Sequence, residues 1–173
     1  MRLKRLKKTT EIRIKNEGEY LLLMELAEKA GYIWGGTLNK PTRFNDEKEY
    51  RCQTKAIELL PAVGTMSRVM VPASQKDTVS LKKVIKFEVG DKVRLREGII
   101  KKLRKEKSLP TETLISEMKK HINKENIIED SFSLNFKKYY YLKGYKGISF
   151  PKKWLDPILP SAPKEETAAG KEE

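Results

Sequence analysis

Apolar residues change period twice along the first third of the chain. "TEIRIK" alternates, placing Ile12 and Ile14 on one face, the mark of a half-buried strand. In "NEGEYLLLMELAEKAG" the period lengthens, and Leu22, Leu23, Leu26, Ala27 and Ala30 gather on one broad helical face. Asn16 is placed to accept a backbone N–H as N-cap, and Glu19 three residues later completes a capping-box spacing. Gly31 supplies a left-handed residue to stop the helix. "YIW" then reads as a short strand that "GG" turns. One helix crossing a small sheet predicts an α+β module over 11–83.

From 37 to 78 the pattern weakens. "TLNKPTRFNDEKEY" reads as loop, with Pro41 barring a central strand. "YRCQTKAIELL" fits either strand or helix, "SRVMVP" an edge strand, and "TVSLKKVIKF" a connection between modules.

A second module is expected over 84–158. "KFEVGDKVRLREG" turns at Gly90-Asp91 and continues as a strand with Val93 and Leu95 on one side and Lys92, Arg94 and Arg96 on the other. "TETLISEMKKHI" predicts a helix capped by Thr111, with Leu114, Ile115, Met118 and Ile122 at helical spacing. "NIIEDSFSLNFKKYYYLKGYKGISF" predicts two or three strands joined by turns. "PKKWLDPI" closes the module with Trp154 and Leu155, and Trp34 and Trp154 are both expected to be structural. Residues 1–10 form a basic arm, and the apolar-poor 159–173 a disordered tail.

Charge adds a second picture. The chain has 173 residues, 35% of them charged, and a net charge of +13. The excess is +6 over 1–15, +2 over 16–87, +7 over 88–158 and −2 over 159–173. Positive charge gathered in the arm and the C-terminal half draws nucleic acid or another acidic partner through a salt-screened field. The longest apolar run, "YLLLM", is far short of the roughly 20 residues that span a bilayer. Leu3 and Leu6 are the arm's only apolar anchors for a membrane surface. The single cysteine, Cys52, forms no internal disulfide and suits a reducing compartment. A soluble, cytoplasmic protein without cofactor is expected.

Catalytic chemistry is hard to assemble from these residues. His121 is the only histidine and falls at a predicted helix end, where it complements the dipole. Pairing it with Cys52 would cross the modules with no motif behind it. One His and one Cys make no zinc site, and the glycine pairs lack a phosphate-loop pattern. Glu129 and Asp130 are adjacent, but strand neighbours point to opposite faces. No catalytic or metal-ligating residue is therefore expected.

Two surfaces are candidates for binding. Lys92, Arg94 and Arg96 are followed closely by Lys101, Lys102, Arg104, Lys105 and Lys107, a cluster that reads negative charge without sequence. In "NFKKYYYLKGYKG", Tyr139 and Tyr141 share one face and Tyr140 takes the other, beside Lys137, Lys138 and Lys143. Rings among ammonium groups suit single-stranded nucleic acid, with Tyr140 as the stacking residue. Alternatively, Tyr139 and Tyr141 belong to the core and the lysines are its solvated fringe.

"EYLLLMELAEKAGYIWGG" with a short polar sheet region resembles the front half of small proteins encoded by phages and prophages of Gram-positive bacteria. "VGDKVRLREG … LISEMKKHINKENIIEDSF … YYYLKG … ISFPKKWLDPI" resembles a C-terminal module of the same proteins, with the Gly-Asp-x-Val-x-Leu start of SH3-like (KOW-type) barrels. The resemblance covers about four-fifths of the chain and implies two small α+β modules, the second an SH3-like β-barrel with a helical basic insertion. It also implies an accessory protein that adjusts the host cell or counters its defences, and brings no catalytic residues. The expected function is non-enzymatic binding of nucleic acid or a host nucleoprotein, with an adaptor for an acidic peptide or host subunit as the alternative.

Overall fold

The computed structural model describes residues 1–74, 76–96, 98–101, 112–122, 124–145 and 147–162, the side chains of 112–114 excepted. The fold is α+β, and the chain divides into two compact units. Leu3–Val84 with the segment from Leu159 forms the N-terminal unit, and Met1–Arg2 with Ile85–Ile158 forms the C-terminal unit.

In the N-terminal unit, strand β2 (Thr10–Arg13) follows β1 (Arg2–Leu3) and precedes helix α1 (Glu17–Lys29). Asn16 is extended and its side chain accepts the Glu19 N–H at 2.9 Å. The Glu19 carboxylate accepts the Lys15 N–H at 3.0 Å, one residue earlier than a strict capping box would have it. Gly31, at φ +82°, ends the helix in the left-handed region. Then come β3 (Ile33–Trp34), a 3₁₀ turn (Pro41–Phe44), α2 (Lys48–Gln53), β4 (Ala56–Leu60), β5 (Thr65–Val69), β6 (Val79–Ser80) and α3 (Leu81–Val84). The ambiguous "YRCQTKAIELL" is thus helix first and strand second. The sheet order is β3-β5-β4-β2-β6, with β2–β6 and β3–β5 parallel and the other pairs antiparallel. Tyr20, Leu23, Met24 and Ala27 of α1 and Ile12, Ile57, Leu59 and Met66 of the sheet are fully buried and make the core.

Two expectations change here and one is extended. β5 is not an edge strand, because β3 pairs along its free side. The stretch over 78–87 does join the two units, whose boundary falls between Val84 and Ile85, and its first part also belongs to the N-terminal unit, where β6 extends the sheet and Leu81 and Val84 are buried. The tail does not begin at 159, since a Cβ on Gly18 would meet the Leu159 Cβ at 2.9 Å; only a bare glycine leaves space for that close approach.

The C-terminal unit holds β7 (Ile85–Lys86), β8 (Lys92–Leu95), α4 (Glu112–His121), β9 (Asn126–Leu134), β10 (Lys137–Leu142), β11 (Ser149–Pro151), a 3₁₀ turn (Lys152–Trp154) and β12 (Leu155–Pro157). Gly90, at φ +85°, allows the turn before β8, and Asp91 accepts the Glu88 N–H at 2.7 Å. The antiparallel sheet runs β11-β10-β9-β8-β12, so the last strand returns to pair with β8. Among the described residues β11 and β12 do not pair, and the sheet is not a closed barrel.

The register between β9 and β10 shifts at Tyr141/Leu142, leaving one extra residue on β9. Glu129 and Asp130 are both exposed there, in place of the expected strict alternation. The first residues of the basic arm are also held. The Met1 ammonium pairs with Asp91, and Arg2 Nε lies 2.8 Å from Glu88 Oε1.

Replacing Asn16 with Ala removes the cap of α1 and should cost about 1 kcal/mol in urea-unfolding stability. Phe87→Ala, a fully buried ring, should cost about 3–5 kcal/mol by the same measurement.

Candidate anion-binding groove in the C-terminal unit

Strand alternation sorts β10 into two faces. Tyr140 is only 1% exposed and packs edge-to-face on Phe87, with centroids 5.8 Å apart. Phe150, its register partner on β11, is buried with it. Burial raises the Tyr140 phenol's pKa above the ordinary range. The expectation of an outward, stacking Tyr140 is therefore corrected. The parity of the three tyrosines was right, but Phe87 and Phe150 occupy the side on which Tyr140 lies.

Tyr139 and Tyr141 consequently stand on the outer face, both half-buried. Phe132, across the ladder from Tyr139, stacks on it at 5.4 Å with 15° between the planes, and lies 5.4 Å from Tyr141. Pro151 and Ser149 continue the face as the register partners of Tyr139 and Tyr141 on β11. The 3₁₀ turn then brings Trp154 alongside. Between them lies a groove of about 540 Å³, lined by Tyr139, Ser149, Pro151, Trp154, Lys137, Lys138, Lys152 and Lys153.

Two aromatic residues and four lysines thus line one depression. Lys152 is partly engaged: it donates to the Ile85 carbonyl and lies 5.7 Å from the Phe87 ring centre. Lys138 lies 5.6 Å from the Tyr140 ring centre. Across residues 131–155 the sequence has six lysines and no acidic residue, with Asp130 and Asp156 directly flanking the stretch.

The β8 row differs. Lys92 Nζ lies 3.1 Å from Glu125, and Arg96 donates to both Asp156 oxygens at 3.3 and 3.5 Å. Asp156 is also the register partner of Arg94. This row is exposed as expected, but carboxylates sit among its charges and weaken its pull on a polyanion. Lys101 and Lys143 are exposed and do not line the groove. Lys102, Arg104, Lys105 and Lys107 lie outside the described residues.

Sequence reasoning therefore named Lys137 and Lys138, assigned Tyr139 to the core as one alternative, gave Trp154 a structural place, and passed over Lys152, Lys153 and the stacking of Phe132 on Tyr139. The missing signal was the absence of acidic residues over 131–155, visible in the sequence but not counted.

A second, smaller depression, of about 270 Å³, lies in the N-terminal unit beside Glu17, Arg51 and Cys52. The Arg51 side chain, 4% exposed, reaches Glu17 Oε2 at 3.0 Å and donates to the Asn45 carbonyl at 2.7 Å. The Cys52 thiol donates to the other Glu17 oxygen at 3.1 Å. Glu17's carboxyl is held below its ordinary range, first by the bond from Arg51 and then by that from Cys52. The same carboxylate raises the Cys52 pKa and so disfavours the thiolate. His121 belongs to the other unit and packs on Tyr145 at 4.7 Å. Among the described residues no three His, Cys, Asp or Glu side chains group as metal ligands, and no helix is long and apolar enough to cross a membrane.

No protein-family model, curated protein or solved structure matches this chain.

Because the folded-state pKa of Glu17 is depressed, the stability it contributes is full above its ordinary 4.5 and is lost as pH falls through the lower folded value. Thermal melts of Glu17→Gln and the parent should show a constant gap at neutral pH that narrows below that point.

Proposed function

We propose that this chain is a non-enzymatic nucleic-acid-binding protein that takes single strands into the β10–β11 groove of an SH3-like C-terminal unit. The observation that carries the reading is the pairing of Tyr139 and Trp154 with four lysines in one groove whose segment lacks acidic residues. Every base offers a π-face to a ring, and every phosphate a charge to an ammonium, so this combination holds single strands of any sequence. Sequence-tolerant stacking is worth about 1–3 kcal/mol per base. Duplex DNA hides its base faces and would meet the lysines alone. The SH3-like reading is supported by five antiparallel strands whose last returns to the first through a single 3₁₀ turn. Together with the resemblance to phage accessory proteins, it makes host nucleic acid or a host nucleoprotein in the bacterial cytoplasm the target, and a host defence or nucleic-acid machinery the process inhibited.

One feature favours a second reading. Pro151, Tyr139 and Trp154 form an apolar floor along an edge strand, which also suits an extended acidic peptide. Under that reading the unit is an adaptor and nucleic acid is irrelevant.

Titrating the protein with a labelled single-stranded oligonucleotide and with an acidic peptide separates them. Lys137, Lys138 and Lys153 should give a log–log salt slope of about −2 on a single strand, at roughly −0.7 per phosphate contact. Tyr139→Ala should weaken oligonucleotide binding about 5- to 150-fold without changing that slope. Failure of the parent protein to bind the oligonucleotide at low salt, with binding of the peptide, removes the nucleic-acid reading.

A further inference from the structure

The link between β9 and β10 is as short as a hairpin allows. Leu134 and Lys137 are register partners, so Asn135 and Phe136 form a two-residue loop, at φ +48° and +59°. Positive φ at both positions marks a type I′ turn, which matches right-handed strand twist and which Asn-Gly forms at least cost. Asn135 fits this rule. Phe136 does not, because its Cβ crowds the neighbouring carbonyl in the left-handed region. Among the described residues, only Leu38 is another bulky side chain held at positive φ.

Burial does not offset the strain, since Phe136 is completely exposed. An apolar ring held in a strained turn and wholly in water points to a contact outside the free protein. Its surroundings say which kind. Leu134 is exposed, on the same face of β9 as Phe132. The next residue, Lys137, lines the groove, and no acidic residue lies between Ser131 and Leu155.

We infer that Phe136 is the outermost stacking residue of the groove, taking an unpaired base on its ring while Lys137 meets the adjoining phosphate. The inference rests on the single-strand reading above and narrows it: the bound strand runs off the groove toward the hairpin tip, and the ligand needs unpaired bases there. A protein partner docking on the tip would find Lys137 and Lys138 beside the ring, a rim that favours phosphates over an apolar pocket.

The test compares Phe136→Gly, Phe136→Trp and Tyr139→Ala with the parent, using a fluorescein-labelled deoxythymidine oligonucleotide of about 16 residues and thermal melts. Phe136→Gly relieves the strained turn and should raise the melting temperature by roughly 4 °C, yet weaken binding about 5- to 150-fold. Phe136→Trp should keep binding within about threefold of the parent. Binding and stability moving in opposite directions supports the inference. Phe136→Gly binding within about twofold of the parent, while Tyr139→Ala binds weakly, overturns the inference and leaves the groove reading standing. A lowered melting temperature in Phe136→Gly also overturns it, because the turn would then not be strained. A parent protein that ignores the oligonucleotide at low salt overturns both.

Discussion

Tyr140, held between Phe87 and Phe150, decides the outward chemistry of the C-terminal unit. A strand has two faces, and a residue buried on one commits its neighbours to the other. With the Tyr140 ring packed edge-to-face on Phe87, Tyr139 and Tyr141 are turned outward to meet Phe132. The groove then follows from pairing, since β11 sets Pro151 beside Tyr139 and the 3₁₀ turn carries Trp154 in next to it. Had the core closed over the other face, the same three tyrosines would have left a single exposed ring.

Charge placement within that unit is uneven in a way that net charge conceals. The basic row of β8 lies near Glu125 and Asp156, so much of its field closes locally. The groove's segment has lysines alone. Exposed ion pairs contribute little to stability, so the carboxylates around β8 matter more for where a polyanion is drawn than for how firmly the unit folds.

The N-terminal unit is organised differently. Its one long helix lies on a mixed sheet, and its notable polar feature is the Arg51 guanidinium, nearly buried and matched by Glu17 and a backbone carbonyl. A buried cation needs such partners, and they tie α2 to the first turn of α1. With Glu17 also bonded to Cys52, the depression beside it is a structural junction, its carboxylate already engaged on both oxygens.

Strand, helix and turn signals were largely readable in the residues themselves. The alternation of Ile12 and Ile14, the Asn16 cap, the Gly31 stop and the Gly90 turn are local events, governed by side-chain period and backbone sterics. So was the odd–even split of Tyr139, Tyr140 and Tyr141. Which half of that split was buried was not local, because it depended on Phe87, far earlier in the chain, and on the β10–β11 pairing that sets Phe150 beside Tyr140. The partners of Lys92 and Arg96, the parallel pairing of β6 and the meeting of Trp154 with Tyr139 were equally invisible, for the same reason. Periodicity states which residues share a face; only the packing of distant segments states what that face meets.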